Sequence, residues 1–185
     1  MSVFFQPGDF YAGIGSRSAP ENILNLMGMV ASKLEREGVI LRSGAAEGSD
    51  QAFESGVVNP EMKCIYLPWE GFCNRQNEVG DVFLYNDKHR EVASRNHPRW
   101  YSLSESARKL HTRNVAQVLG DDCMTPSKCV ICWTSDGNPS GGTGQAIRIA
   151  YSHDIPVFNM YRKRVFDMLA DYVNDGEFVE DVWIP

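Results

Sequence analysis

Three short stretches place glycines beside hydroxyls and charged side chains: "AGIGSR" at 12–17, "RSGAAEGSD" at 42–50 and "SGGTGQAIRIA" at 140–150. A helix N-terminus offers unpaired backbone N–H groups and about half a unit of positive charge, and glycine lets an anion reach them without a Cβ in the way. Gly141, Gly142 and Gly144 fit such a cradle, with hydroxyls from Ser140 and Thr143. Gly44 and Gly48, flanked by Ser43 and Ser49, would act likewise in the second stretch. In the first, Gly13 and Gly15 precede Ser16 and Arg17, where a guanidinium can grip a phosphate or carboxylate in a bidentate manner. Glycine also serves plain tight turns, so the weight lies in the three stretches sharing one rim.

Two carboxylates, Glu47 and Asp50, lie in the second stretch. Cleavage of an N-glycosidic bond needs a carboxylate near the anomeric carbon, as nucleophile or as base for water. Either residue can fill that role if the chain is an enzyme, although Asp50 at a helix start equally suits the macrodipole. Arg113 is a second phosphate candidate. His111, two residues before it on a predicted helix, faces another way, so only one of the pair is expected to point at the site. Asp136 and Asn138 read as an Asx turn ahead of the last glycine stretch. No Lys follows "GGTG", and "GIGSRS" lacks the last glycine of G-x-G-x-x-G, which argues against nucleoside-triphosphate and dinucleotide loops.

The elements that must position these residues alternate. "DFYAGIG", "VILRSG", "KCIYLPW", "KCVICWT" and "IPVFNM" read as strands. Between and after them, "SRSAPENILNLMGMVASKLEREG", "EGSDQAFESGV", "SLSESARKLHTRNVAQVLG", "GTGQAIRIAYSHD" and "RKRVFDMLADYVND" read as helices. This order predicts one α/β domain over residues 1–185: a Rossmann-like, doubly wound, mainly parallel sheet with helices on both faces. Ligands of such folds bind beyond the carboxyl ends of the strands, and all three glycine stretches follow strands. Residues 70–104 show no sustained period and are expected to form an irregular insert. Its Trp69, Phe72, Tyr85, Trp100 and Tyr101 could stack on a base, with Arg75, Asn77, Arg95 or Asn96 reading it; a lid or a contact between subunits is the alternative. The final "EFVEDVWIP" is expected to add an edge strand or to dock Val182 and Trp183.

The 24 acidic residues exceed the 18 basic ones, for a net charge of −6, which places nucleic acid behind a small molecule as partner. No apolar run nears the roughly 20 residues of a membrane span, and the N-terminus lacks a signal-peptide pattern, so a cytoplasmic protein is expected. Cys129 and Cys132 sit in an apolar run and read as buried thiols; no metal and no cofactor is expected.

With these residues assembled, the chain resembles the SLOG superfamily, which joins DNA-processing protein A (DprA/Smf) to the "lonely guy" (LOG) phosphoribohydrolases. "GSR" at 15–17, "SGAAEGSDQAF" at 43–53 and "TRNVAQVLG" at 112–120, with Arg113 and Asn114, resemble the DNA-processing branch, although its His is missing after Phe53. "SGGTGQAIRIA" resembles the phosphoribohydrolase motif P-G-G-x-G-T-x-x-E, with Ser140 for its proline and Ile147 followed by Arg148, neither of them an acid, where it has the catalytic Glu. The resemblance implies a homo-oligomer and a phosphate cradle formed by Gly13, Gly15, Ser16, Arg17, Ser43, Gly44, Gly48, Arg113, Asn114, Gly141, Gly142, Thr143 and Gly144. With the usual acid missing, it implies first a protein that binds a nucleotide or nucleotide-derived small molecule. The alternatives are a LOG-type N-glycosidase or (deoxy)ribosyl transferase using Glu47 or Asp50, and a DprA-like binder of single-stranded DNA.

Overall fold

The computed structural model describes residues 4–83 and 86–179; Tyr85, Val182 and Trp183, for which roles were considered above, lie outside them. Six strands, β1 (Phe10–Gly13), β2 (Ile40–Ser43), β3 (Lys63–Leu67), β4 (Asp81–Phe83), β5 (Val130–Cys132) and β6 (Val157–Asn159), form one sheet in the order β4-β3-β2-β1-β5-β6. Every pairing is parallel. The fold is α/β and Rossmann-like, as the alternating pattern predicts.

Period-two alternation sends neighbouring strand residues into two cores. Tyr11, Leu41 and Ile131 enter one, packed under α1 (Glu21–Arg36), α2 (Ser49–Ser55) and α6 (Lys163–Val173). Ala12, Val130 and Cys132 enter the other, under α4 (Glu105–Leu119) and α5 (Gly141–Ser152). The stripe Ile23, Met27, Val30, Ala31 and Leu34 seats α1, and each large side chain contributes about 1.5–3 kcal/mol by burial. Cys129 and Cys132 are buried, and burial pushes the Cys132 thiol up to about 12.

The stretch 70–104 is more ordered than its sequence predicts. It contains β4, a nine-residue helix α3 (Asp87–Arg95) and short 3-10 turns at Phe72–Asn74 and Trp100–Ser102. α3 buries only His89 and Ala93, so it has no apolar stripe to reveal it. Polar contacts hold it instead: Asn86 caps it by accepting from the His89 N–H at 3.0 Å, and His89 Nε2 lies 2.9 Å from the Gly120 carbonyl. β4 is three residues at the sheet edge, too short for alternation to show.

Because all strands run the same way, their carboxyl ends share one rim. From β1 the chain winds outward through β2, β3 and β4, then returns to place β5 on the other side of β1. That reversal opens a crevice between the ends of β1 and β5, where the segments after them diverge. Among the described residues no helix is long and apolar enough to cross a membrane.

Candidate functional site

The crevice at this switch point has a volume of about 540 Å³. One wall is the turn after β1, with Gly15, Ser16 and Arg17. The opposite wall is Thr134 and Ser135 after β5 and the start of α5 at Gly141, Gly142 and Thr143. Asp50 and the α4 residues His111, Arg113, Asn114 and Gln117 close it from below. Residues from all three glycine stretches therefore do meet, although not every glycine faces the opening.

The floor is built on Asp50 and Arg113, both buried. Arg113 Nη1 lies 3.8 Å from the Asp50 carboxylate. The same guanidinium nitrogen donates to the Gly44 carbonyl and, at 3.3 Å, to that of Tyr66, while Nε donates to Asn114 Oδ1 at 3.1 Å. Arg113 thus ties α4 to the ends of β2 and β3. Burial raises the Asp50 carboxyl from 3.8 to about 6, against the pull of Arg113 and of the Ala46 and Gly15 N–H groups. Burial likewise draws the Arg113 guanidinium down, with Asp50 opposing.

Beside them, Gln117 is buried and its Nε2 has no hydrogen-bond partner. A buried donor left unpaired costs about 1–3 kcal/mol, and this one lies against Gly44, behind the crevice.

The glycines divide by what approaches them. A Cβ at Gly44 would overlap the Arg113 guanidinium, so this glycine admits a side chain of the protein itself. Gly48, at φ +80°, would carry a Cβ 2.5 Å from the Arg17 carbonyl, so it lets the first two turns touch. Gly13 packs beneath Phe53 and Leu41, and Gly144 against the Pro139 backbone. Ser43 donates to the Gly13 carbonyl at 2.6 Å, and Ser49 to the Ser16 carbonyl at 2.8 Å. Gly13, Ser43, Gly44, Gly48 and Gly144 consequently shape the crevice from behind and do not line it.

Gly141 and Gly142 differ: added Cβ atoms there would meet nothing within 4 Å. Ser140, the residue before α5, donates its hydroxyl to Asp136 at 2.9 Å and does not cap the helix. Asp136 also accepts from the Asn138 N–H at 3.0 Å, the Asx turn expected there. The first turn of α5 therefore opens on the crevice, opposite Arg17, which is exposed and makes no hydrogen bond or ion pair among the described residues.

Of the two candidate carboxylates, Asp50 lines the crevice and the exposed Glu47 does not. At the place of the phosphoribohydrolase acid, Ile147 is packed in the core and Arg148 donates to the Asn96 and Pro139 carbonyls. His111 and Arg113 do face different ways, towards α5 and towards the ends of β2 and β3, yet both border the opening; the expectation of a single one is corrected by the crevice's breadth. Gln145 and Gln117 were not singled out from sequence. Gln145 is fully buried on the same helical stripe as Ile149, and a polar residue on an apolar stripe is the signal that marks it.

Among the described residues, no Phe, Tyr or Trp of 70–104 lines the crevice. Phe72 and Trp100 are buried in the two cores, and Trp69 packs edge-on to Phe72 at 5.3 Å. Arg75 is held by Glu54 and Asp81, and Arg95 by Glu91. Among the described residues no group of His, Cys, Asp and Glu has a geometry that could hold a metal ion.

No family model matches the chain, and no curated protein does. Among solved structures, it is similar to DNA processing protein A from Helicobacter pylori, studied for its single-stranded DNA binding mode. The identity is 13%, the TM-score 0.54, and the match covers 91% of this chain and 80% of that one. At that identity the likeness is one of fold: the chain has a DprA-like, Rossmann-like α/β fold.

Proposed function

We propose that the crevice recognises a nucleotide unit through its phosphate. The observation that carries this reading is the uncapped first turn of α5, open at Gly141 and Gly142, which faces the exposed Arg17 across a floor that holds the Arg113 guanidinium. An entering phosphate would accept from the first-turn amides of α5 and pair with Arg17 on the walls. Gly15, Ser16, Arg17, Arg113, Asn114, Gly141, Gly142 and Thr143 are the ligand-facing set; Gly13, Ser43, Gly44, Gly48 and Gly144 hold them in place.

The unit can arrive free or as part of a single strand, and a separate observation favours each. The volume of about 540 Å³ matches a single small ligand. The fold neighbour is a protein with a single-stranded DNA binding mode, which favours the strand. Binding of adenosine 5′-monophosphate and of a 5′-phosphorylated oligodeoxyadenylate, each alone and then in competition, tests both. Mutual displacement places both ligands in one crevice. Strand binding that the mononucleotide never displaces moves the strand to another surface, and the absence of binding by either compound removes the reading. Free adenine appearing in these mixtures, and disappearing with Asp50→Asn, makes the crevice a glycosidase site with Asp50 as its carboxylate.

A further inference from the structure

Three side chains on the crevice, Arg113, Asn114 and His111, form with the buried Gln145 a hydrogen-bonded chain whose direction is fixed at both ends. Arg113 can only donate, and its Nε–H is 3.1 Å from Asn114 Oδ1. That oxygen is therefore the acceptor, and Asn114 must donate through Nδ2. It does so to Gln145 Oε1 at 3.1 Å and to the Gly142 carbonyl at 3.3 Å. At the far end the Ala93 carbonyl can only accept, and it receives Gln145 Nε2 at 3.2 Å. Both amide orientations are thus set independently, from opposite ends, and they agree.

His111 hangs on this chain. Its Nδ1 lies 3.1 Å from Gln145 Oε1, an oxygen now committed as acceptor, so Nδ1 must carry the proton. In the neutral ring Nε2 is then a bare lone pair. The surroundings keep the ring neutral: burial lowers its pKa first, and the neighbouring His97, Arg148 and Arg113 add to that, against the favourable bond to Gln145. The His97 ring, 4.4 Å away between centroids, packs against it. Nε2 has no partner among the described residues, and His111 lines the crevice. Other groups on the opening, the first-turn amides of α5 and Arg17, donate or are positive.

We infer that His111 is the residue that selects the ligand, accepting through Nε2 a hydrogen bond from an O–H or N–H group carried by the same molecule whose phosphate the donors hold. This rests on the nucleotide reading above. The donor is a sugar hydroxyl or the exocyclic amine of the base. A molecule offering only acceptors opposite Nε2 is rejected, since two lone pairs would face each other.

The tautomer is tested without any ligand. Nitrogen-15 NMR of the His111 ring at pH 7.5, assigned with His111→Phe, should show a protonated Nδ1 and a bare Nε2. A protonated Nε2 overturns the inference, whatever the protein binds. The contact is tested with adenosine 5′-monophosphate against its 2′-deoxy, its 2′,3′-dideoxy and its purine-riboside counterparts, on wild type and on His111→Phe. One analogue should bind wild type about tenfold more weakly than the parent, the worth of one hydrogen bond, and that penalty should vanish in the variant. If it is a deoxy compound, the sugar is read; if it is the purine riboside, the base amine is. Equal penalties in both proteins overturn the contact. Failure of wild type to bind either adenosine 5′-monophosphate or oligodeoxyadenylate would instead sink the nucleotide reading, while the NMR result still decides the state of His111.

Discussion

Asp50 is the residue where burial and charge compete most directly. Its carboxyl titrates near pH 6 in the folded chain against an ordinary value of 3.8. An acid whose folded pKa is raised holds its proton more tightly in the fold. Its contribution is therefore fully favourable below about pH 4 and is lost as pH rises to 6, a change on the order of 3 kcal/mol. Urea unfolding of wild type and Asp50→Asn between pH 4 and 7 checks this. The variant should lack that falling component, and parallel curves would show that Asp50 is not raised. At the same scale, Gly44→Ala forces a methyl into the Arg113 guanidinium and should destabilise by about 1–3 kcal/mol, measured as a lower urea midpoint with unchanged slope.

Among the elements, α5 carries the sharpest expectation. The site of Gly142 is open, so Gly142→Val should leave thermal stability within about 1 kcal/mol of wild type yet weaken nucleotide binding by tenfold or more. Unchanged affinity would mean that no ligand reaches the first turn of this helix. The contrast between Gly44 and Gly142 also marks how far the sequence is legible. Strands ended by glycine are readable, because β-branched runs and turn residues report local backbone preference. What comes close to each glycine is not, since an anion and an arginine of the same chain demand the same missing Cβ. α3 is hidden for a different reason: it is held by His89, Asn86 and the Gly120 carbonyl rather than by an apolar face, and such contacts leave no period.

For the whole molecule, charge sets the expectation. A net charge of −6 disfavours broad contact with a polyanion, so a strand should be held only where Arg17 and Arg113 border the crevice. Two neutralised phosphates on a single strand give a slope of about −1.4 in log affinity against log salt. A slope steeper than about −4 would require a basic surface elsewhere and would displace the crevice as the principal contact. The parallel sheet makes the site depend on distant sequence: its walls come from residues 15–17 and 134–143, brought together by the β1–β5 reversal, and its floor from 111–117, tied to them by the Arg113 and Asn114 bonds.

The one-way chain from Arg113 to Ala93 has a consequence for how this site can change. Pinned by a permanent donor at one end and a backbone acceptor at the other, it has a single arrangement, so the ligand meets a surface that need not reorient to receive it. The same pinning fixes which tautomer of the neutral His111 ring the crevice presents. Gln145→Glu still offers His111 an acceptor but, as a carboxylate, loses the proton owed to Ala93; Asn114→Asp loses its donor to Gln145. In the neutral ring, His111 Nε2 becomes a donor only if the proton leaves Nδ1; a second proton on the ring, which a carboxylate at position 145 would favour, makes it a donor with Nδ1 unchanged.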